Sequence, residues 1–289
     1  MDKIIEAIIL GAVQGITEFF PISSSAHLEV FPWIFNWTEI SDSFDLALHL
    51  GTLLALIVYF FKDGIELIRS GLALAIVGIK NKFGKNKEKP IILDKKDHIN
   101  GSIFWYLIIA TIPAGILSLI LDKVSEKIIN DNQSVRIILI AIASVIMGLL
   151  LYFIDKKAKK DKTFDKLTLK DTMLIGISQA FAAAFPGTSR SGVTISVSRG
   201  LGYDRQSSAK ISFFLSIPII LAACIVKIPD FDLTYPVAFF AGIFMSFVIG
   251  LIVIRSLFRY LKNGEYKVFA IYRVVFGILL IISLFIKGF

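Results

Sequence analysis

The sequence predicts an all-α polytopic membrane protein made of two inverted-topology repeats. Of its 289 residues, 55% are hydrophobic, which exceeds the apolar content of ordinary soluble domains. Apolar runs long enough to cross a bilayer recur along the chain. Two polar segments that contain proline interrupt this apolar sequence at corresponding places in the two halves. These observations predict one integral membrane domain over residues 1–289.

The charges between the apolar runs predict the orientation in the membrane. The net charge is +8, with 31 Lys and Arg against 23 Asp and Glu. This excess lies in loops, as the positive-inside rule expects, so nucleic acid is not a predicted partner. The single cysteine, Cys224, excludes an internal disulfide. The lysines predicted to lie inside are Lys80, Lys82, Lys85, Lys87, Lys89, Lys95, Lys96, Lys156, Lys157, Lys159, Lys160, Lys162, Lys166 and Lys170.

The first repeat, residues 1–155, is predicted to be a re-entrant hairpin followed by three spans. The hairpin covers residues 2–35 and breaks at Pro21, because proline interrupts the hydrogen-bond ladder of a helix. The segment from Leu28 to Asp45 carries acidic residues and no Lys or Arg, so it is predicted to lie outside. The three predicted spans cover about 44–61, 103–121 and 137–154.

The second repeat, residues 171–289, follows the same plan in the opposite orientation. Its hairpin, residues 173–199, has basic flanks on both sides and therefore starts and ends inside. Such a re-entrant segment is permitted where its broken backbone faces protein or a wet cavity. The three predicted spans cover about 211–226, 237–254 and 268–286.

The duplication is visible when the chain is shifted by 165 residues, the difference between positions 11 and 176. The pairs are Gly11 with Gly176, Gln14 with Gln179, Phe20 with Phe185, Pro21 with Pro186, Ser23 with Thr188, and Ser24 with Ser189. The match fails where Glu18 meets Ala183, Ser25 meets Arg190 and His27 meets Gly192. Broken helices in an inverted repeat predict a binding site where the two repeats meet.

The polar residues of the two hairpins are typical of a phosphate site. Arg190 is suited to bidentate binding of phosphoryl oxygens. Glu18 is suited to activate a nucleophile, or to hold a divalent cation together with Gln14. His27 is suited to transfer a proton or to attack phosphorus. The catalytic candidates are Glu18, Ser24, His27 and Arg190, and the binding candidates are Gln14, Ser23, Ser25, Thr188, Ser189 and Ser191. His49 is expected to be a polar contact between helices, with membership of the site as the alternative.

The segments 14–27, 44–51 and 186–192 resemble the undecaprenyl-diphosphate phosphatase family of the bacitracin-resistance type. The motif Glu/Gln-x-x-x-Glu is matched by Gln14 and Glu18. The further matches are Pro21, Ser23, Ser24 and His27 to Pro-x-Ser-Ser-x-x-His, Pro186 to Gly192 to Pro-Gly-x-Ser-Arg-Ser-Gly, and Thr194 to a downstream threonine. Members often carry Glu at the position of Gln14 and Gly at the position of Ala26.

The resemblance implies a multi-pass hydrolase of the cell membrane that removes the terminal phosphate of undecaprenyl diphosphate at the outer face. This activity recycles the lipid carrier for cell-wall synthesis. The resemblance also implies a divalent cation, Mg²⁺ or Ca²⁺, near Glu18 and Gln14. The expected partners are a polyprenyl diphosphate and membrane lipids, with a homodimer as a candidate assembly. The nucleophile is open among Ser24, His27 and water, and a transporter or flippase of a prenyl-phosphate lipid is the alternative function.

Overall fold

The computed structural model describes residues 3–37, 42–83, 91–128, 133–159, 161–227 and 233–287. Outside these residues lie residue 2 of the predicted first hairpin, part of the acidic segment at 38–41, and the lysines Lys85, Lys87, Lys89 and Lys160. The first half contains α1 (Lys3–Thr17), α2 (Ser24–Phe35), α3 (Asp42–Tyr59), α4 (Phe61–Phe83), α5 (Lys95–Ile128) and α6 (Gln133–Lys157). The second half contains α7 (Leu169–Ser178), α8 (Ala180–Ala184), α9 (Arg190–Gly200), α10 (Arg205–Lys227), α11 (Pro236–Leu261) and α12 (Lys267–Lys287).

The predicted all-α polytopic membrane architecture is confirmed. Among the described residues, five helices are long and apolar enough to span a bilayer: α5, α6, α10, α11 and α12. The pair α3 and α4, bent by 78° at a short break, passes the same test together and makes a sixth candidate span. The predicted hairpins correspond to α1 with α2 and to α7, α8 and α9.

Helix α4 lies between the first two predicted spans, where no helix was predicted. Charged residues at its start, Asp63 and Glu66 among them, break the apolar run. The apolar residues nevertheless recur at helical spacing along one exposed face, at Ile65, Ile68, Leu72, Ile76 and Ile79. Spacing of this kind is typical of an amphipathic helix.

Glycines bring the first hairpin close to a helix of the second half. Helix α1 packs along α11. A Cβ atom on Gly11 would lie 2.5 Å from the carbonyl oxygen of Gly242, and one on Gly15 would lie 2.9 Å from the backbone nitrogen of Gly250. Small residues of this kind let membrane helices approach backbone to backbone. The first hairpin is therefore held by the second half of the chain.

The second hairpin is held by the first half in a similar way. Helices α7 and α8 pack against α5, where a Cβ on Gly176 would lie 3.0 Å from the Cβ of Ala110. Helices α6 and α12, the last of each half, pack against each other through Gly148 and Gly277. The packing between the halves brings the breaks of the two hairpins together in the interior. These breaks, at residues 18–23 and 185–189, are called the tips below.

A buried ion cluster holds α9 and α10 to the end of α6. Arg199 is fully buried, and its Nε donates a hydrogen bond to Asp155 Oδ1 at 2.7 Å. Arg205 Nη2 donates to the other carboxylate oxygen of Asp155 at 2.9 Å. Buried charges need such pairing, because an unpaired charge inside a protein is strongly destabilising. The cluster fixes the far end of the second hairpin relative to α6.

Candidate active site

The two hairpin tips have the same capping geometry. Ser23 precedes α2 with φ 76°, and its Oγ accepts a hydrogen bond from the Ala26 amide at 3.4 Å. Ser189 precedes α9 with φ 72°, and its Oγ accepts from the Gly192 amide at 3.1 Å. A positive φ is uncommon for a residue other than glycine. The same strained cap at both tips places a helix N-terminus, with its free amides, on each side of the site.

The caps correspond at a shift of 166 residues, the difference between positions 23 and 189, and not at the 165 of the sequence alignment. The second tip has one more residue between its proline and its cap, and it turns at Gly187, where φ is +84°. The structural partner of Arg190 is therefore Ser24 and not Ser25, since each is the first residue of its helix. Ser24 and Arg190 start their helices at equivalent places beside Glu18.

Glu18 joins the two hairpins and is 7% exposed. Its Oε1 forms an ion pair with the Arg190 guanidinium. Its Oε2 accepts hydrogen bonds from Ser24 Oγ at 2.6 Å and from Gln14 Nε2 at 3.2 Å. The structure thus brings together four of the predicted site residues, Gln14, Glu18, Ser24 and Arg190.

The position of Glu18 follows from the end of α1. The Glu18 amide donates to the Gln14 carbonyl at 2.9 Å, so the last helical turn continues past Thr17. Residues four apart lie on one face of a helix, and both side chains therefore point to the second tip. The Oε1 atom of Gln14 is buried without a hydrogen-bond partner in the described structure. An orphaned acceptor of this kind indicates a place for a missing donor or cation.

His49 of α3 also faces Glu18. Its Nδ1 donates to the Asp45 carbonyl at 2.8 Å, and its Nε2 lies 3.5 Å from Glu18 Oε2. Of the two predicted alternatives, a helix contact and membership of the site, this geometry supports the second. Its position within an apolar span was the available signal, because polar residues there are expensive.

His27 lies one turn beyond Ser24 and does not face Glu18. Its Nδ1 donates to the Ser23 carbonyl at 2.7 Å, so Nε2 is left to accept from the Tyr272 hydroxyl, also at 2.7 Å. The imidazole stacks on Phe276 with ring centroids 4.4 Å apart. Both ring nitrogens of His27 therefore have partners outside the cluster of Gln14, Glu18, Ser24 and Arg190, called the Glu18 cluster below.

The predicted hydroxyl groups occupy different surroundings. Ser191 Oγ donates to the backbone carbonyl of Glu18 at 3.3 Å. Thr194 lies within 2.7 Å of Ser212 Oγ and thus ties α9 to α10. Ser24 is half-buried and Ser25 is exposed. The other predicted hydroxyl residues are buried, namely Ser23, Thr188, Ser189, Ser191 and Thr194.

Arg273 of α12 contacts both tips and is not among the predicted site residues. The guanidinium is buried, at 1% exposure. Nη1 donates to the Pro21 carbonyl at 3.1 Å, while Nη2 donates to the Gly187 and Thr188 carbonyls at 2.7 and 3.1 Å. Nε donates to the Ser144 carbonyl of α6 at 3.3 Å. The one available signal was an arginine within an apolar span.

The residues present suit a divalent cation of the Mg²⁺ type. Such ions use one or two carboxylates together with phosphate oxygens of the substrate. Glu18 supplies a carboxylate, and the unpartnered Gln14 Oε1 supplies a neutral oxygen. No group of three or more His, Cys, Asp and Glu side chains suited to a metal occurs in the part of the chain that the structure describes. Any cation here would therefore need oxygens of the substrate to complete its shell.

The chain is similar to known proteins over nearly its whole length. The family described as "Bacitracin resistance protein BacA" matches residues 7–279. A protein of Moorella thermoacetica named undecaprenyl-diphosphatase is 38% identical over 279 residues, 96% of this chain and 97% of that protein. A protein of Caldicellulosiruptor bescii with the same name is 39% identical over 272 residues, 93% of this chain and 92% of that protein. The chain therefore belongs to the bacitracin resistance protein BacA family.

Proposed function

We propose that this chain is an integral membrane phosphatase that hydrolyses undecaprenyl diphosphate to undecaprenyl phosphate and inorganic phosphate. The observation that carries the proposal is the contact of Glu18 with both Ser24 and Arg190 across the two tips. Relatives that match nearly the full chain are named undecaprenyl-diphosphatase. The alternative of a transporter or flippase has no comparable support.

The terminal phosphate of the substrate binds between the N-termini of α2 and α9. Helix N-termini attract anions through their free amides and their dipole. Arg190 exchanges part of its contact with Glu18 for a bidentate contact with phosphoryl oxygens. Ser25 lies beside the start of α2 and contributes a hydroxyl donor, whereas Ser191 donates to the backbone carbonyl of Glu18 and so holds the two tips together. Binding at this place orients the terminal phosphorus toward Ser24.

Ser24 is the proposed nucleophile, because its Oγ donates to Glu18 Oε2 at 2.6 Å. As Oγ attacks the terminal phosphorus, its proton passes to Glu18. The bond from that phosphorus to the bridging oxygen breaks, and Glu18 passes the proton to the departing phosphate oxygen. Water then hydrolyses the phosphoserine, with Glu18 moving one proton from the water to Ser24 Oγ. The oxygen of the water ends in inorganic phosphate.

His27 and His49 have supporting roles in this proposal. The imidazole of His27 is fixed by Ser23 and Tyr272 and so orients the first turn of α2. His49 lies next to Glu18 Oε2, the oxygen that accepts the proton of Ser24, and helps to hold this carboxylate in place. Direct attack by His27 would require both of its ring contacts to be broken.

A divalent cation, Mg²⁺ or Ca²⁺, fits the same cluster. Glu18 and Gln14 are the residues that would hold it. When bound, such a cation neutralises charge on the diphosphate and stabilises the departing oxygen. Arg190 supplies positive charge from the opposite tip, so the two halves share the neutralisation of the substrate.

We also propose that the two halves are inverted repeats and that the site faces the outside of the cell membrane. The reciprocal packing of α1 on α11 and of α7 and α8 on α5 supports the repeat. The matching caps at Ser23 and Ser189 support it independently. The lysine-rich segments of the sequence support the orientation. A homodimer is a candidate assembly, and the mass of the protein in detergent tests it.

Phosphate release from undecaprenyl diphosphate by the purified full chain tests the function. We expect release by the unaltered protein to stop with EDTA and to fall by about 10³-fold in Glu18→Gln, since general-base catalysis contributes on this scale. Glu29→Gln is the matched control, because Glu29 pairs with Arg136 on the surface of α2. No release by well-folded unaltered protein, or full release by Glu18→Gln, would contradict the proposal.

A further inference from the structure

In the described structure, the Arg273 side chain contacts both hairpin tips and α6. Its hydrogen bonds to Pro21, Gly187 and Thr188 all end on backbone carbonyls. In the part of the chain that the structure describes, no carboxylate pairs with this guanidinium. A buried charge without a counter-ion is destabilising unless it satisfies other groups. Its hydrogen bonds therefore point to a function in holding the tips.

The tips need donors of the kind that Arg273 supplies. Both hairpins break inside the protein, so carbonyls at their ends lose the helical partners that they would otherwise have. The guanidinium presents its donors in a rigid plane, whereas a lysine ammonium is a compact charge on a flexible stem. One arginine can therefore fix several carbonyls at set distances. A lysine at this position would keep the charge and lose the geometry.

The guanidinium also contacts the start of the helix that carries Arg190. A Cβ atom added to Gly192 would lie 3.2 Å from Arg273 Nη1 and 3.1 Å from the Cβ of Ser189. Gly192 belongs to the first turn of α9, as Arg190 does. The Arg273 guanidinium therefore borders the turn that places Arg190 beside Glu18.

We infer that Arg273 is a positioning residue that fixes the separation of the two tips and thereby the contact between Glu18 and Arg190. This inference rests on the proposed phosphatase function, because the distance between the tips matters only if both tips act on one phosphate. Arg273 does not contact the Glu18 cluster in the structure. Its effect on turnover passes through Arg190.

A double-variant cycle in the full-length protein tests this inference. We expect Arg273→Lys to lower kcat by about 10²-fold, the loss that a 1 Å misplacement of a catalytic group can cause. In the Arg190→Lys background, the same change should lower kcat by no more than about twofold, since residues that act as a unit are not additive. Equal losses in both backgrounds would overturn the inference. Full activity of Arg273→Lys would overturn it as well, because charge alone would then suffice.

Two further variants separate positioning from simple stability. Arg199→Lys changes another fully buried arginine, which pairs with Asp155 away from the tips. It should lower the thermal unfolding temperature while kcat per folded molecule stays unchanged. If Arg273→Lys does not fold, Gly192→Ala takes its place, and it should lose activity in the unaltered background and little more in Arg190→Lys. Multiplicative losses for Gly192→Ala would contradict the inference, whereas an inactive unaltered protein would instead contradict the proposed function.

Discussion

The two hairpins share a backbone design and differ in their chemistry. Ser23 and Ser189 cap their helices at nearly the same positive φ, 76° and 72°. The next residue is Ser24 in the first hairpin and Arg190 in the second. Both side chains bond to the same carboxylate, Glu18. We propose that these two similar helix starts form the anion-binding ends of the site, and that Ser24 and Arg190 divide the roles of nucleophile and cation between them.

The largest effect is expected from changing the cation of the second hairpin. Arg190→Lys keeps one charge and loses the planar fork, so we expect kcat to fall by about 10³-fold, the scale seen for arginines that stabilise phosphoryl transfer. Phosphate release from undecaprenyl diphosphate is the measurement. Arg136→Lys, on the surface of α6, is the control. Comparable activity of both variants would break the division of roles between the hairpins.

Removing a capping side chain is expected to have a smaller effect, and the effect should be equal at the two tips. Ser23→Ala and Ser189→Ala each remove the acceptor of a capping hydrogen bond, so each should lower the free energy of unfolding by about 1 kcal/mol. Ser→Gly at either position should be milder, because glycine adopts positive φ without strain. Chemical or thermal unfolding in detergent measures both pairs. A clear loss at only one tip would show that the caps are not equivalent.

The smallest effect is expected at Gln14, which donates to Glu18 and leaves its own oxygen unpartnered. Gln14→Glu replaces this donor by a second carboxylate, and the affinity for a divalent cation should rise by about threefold, in line with the influence of ligand charge on such sites. The Mg²⁺ concentration that gives half-maximal phosphate release is the measurement. Unchanged Mg²⁺ dependence would remove Gln14 from the cation site.

Much of the architecture and the centre of the site could be predicted from the sequence. The apolar spans, the break at Pro21 and the membership of Glu18 and Arg190 in one site all leave local signals, because charges inside a membrane are rare and purposeful. The direct pairing of Glu18 with Arg190 was not predicted. Helix α4 was missed, since its charges interrupt the apolar run although its spacing is helical. The two caps also lie one residue away from the register of the sequence alignment, because the second hairpin has one more residue between its proline and its cap.

The contacts of Arg273 and Tyr272 could not be predicted in this way. Both lie on α12, more than 200 positions along the chain from the first tip that they contact. Their partners at that tip are the Pro21 carbonyl and a ring nitrogen of His27. A backbone carbonyl is present at every residue and leaves no mark in the sequence. Contacts of this kind become visible only when the helices are packed.

The assignment of Ser24 as the nucleophile is tested most directly by identifying the group that is phosphorylated during turnover. The protein is quenched with acid and, separately, with base while it hydrolyses undecaprenyl diphosphate labelled in the terminal phosphate. Phosphoserine survives acid, whereas phosphohistidine is lost in acid and survives base. We expect an acid-stable label on the peptide that contains Ser24, and no such label in Ser24→Ala. A label that survives only base and maps to His27 would contradict the assignment.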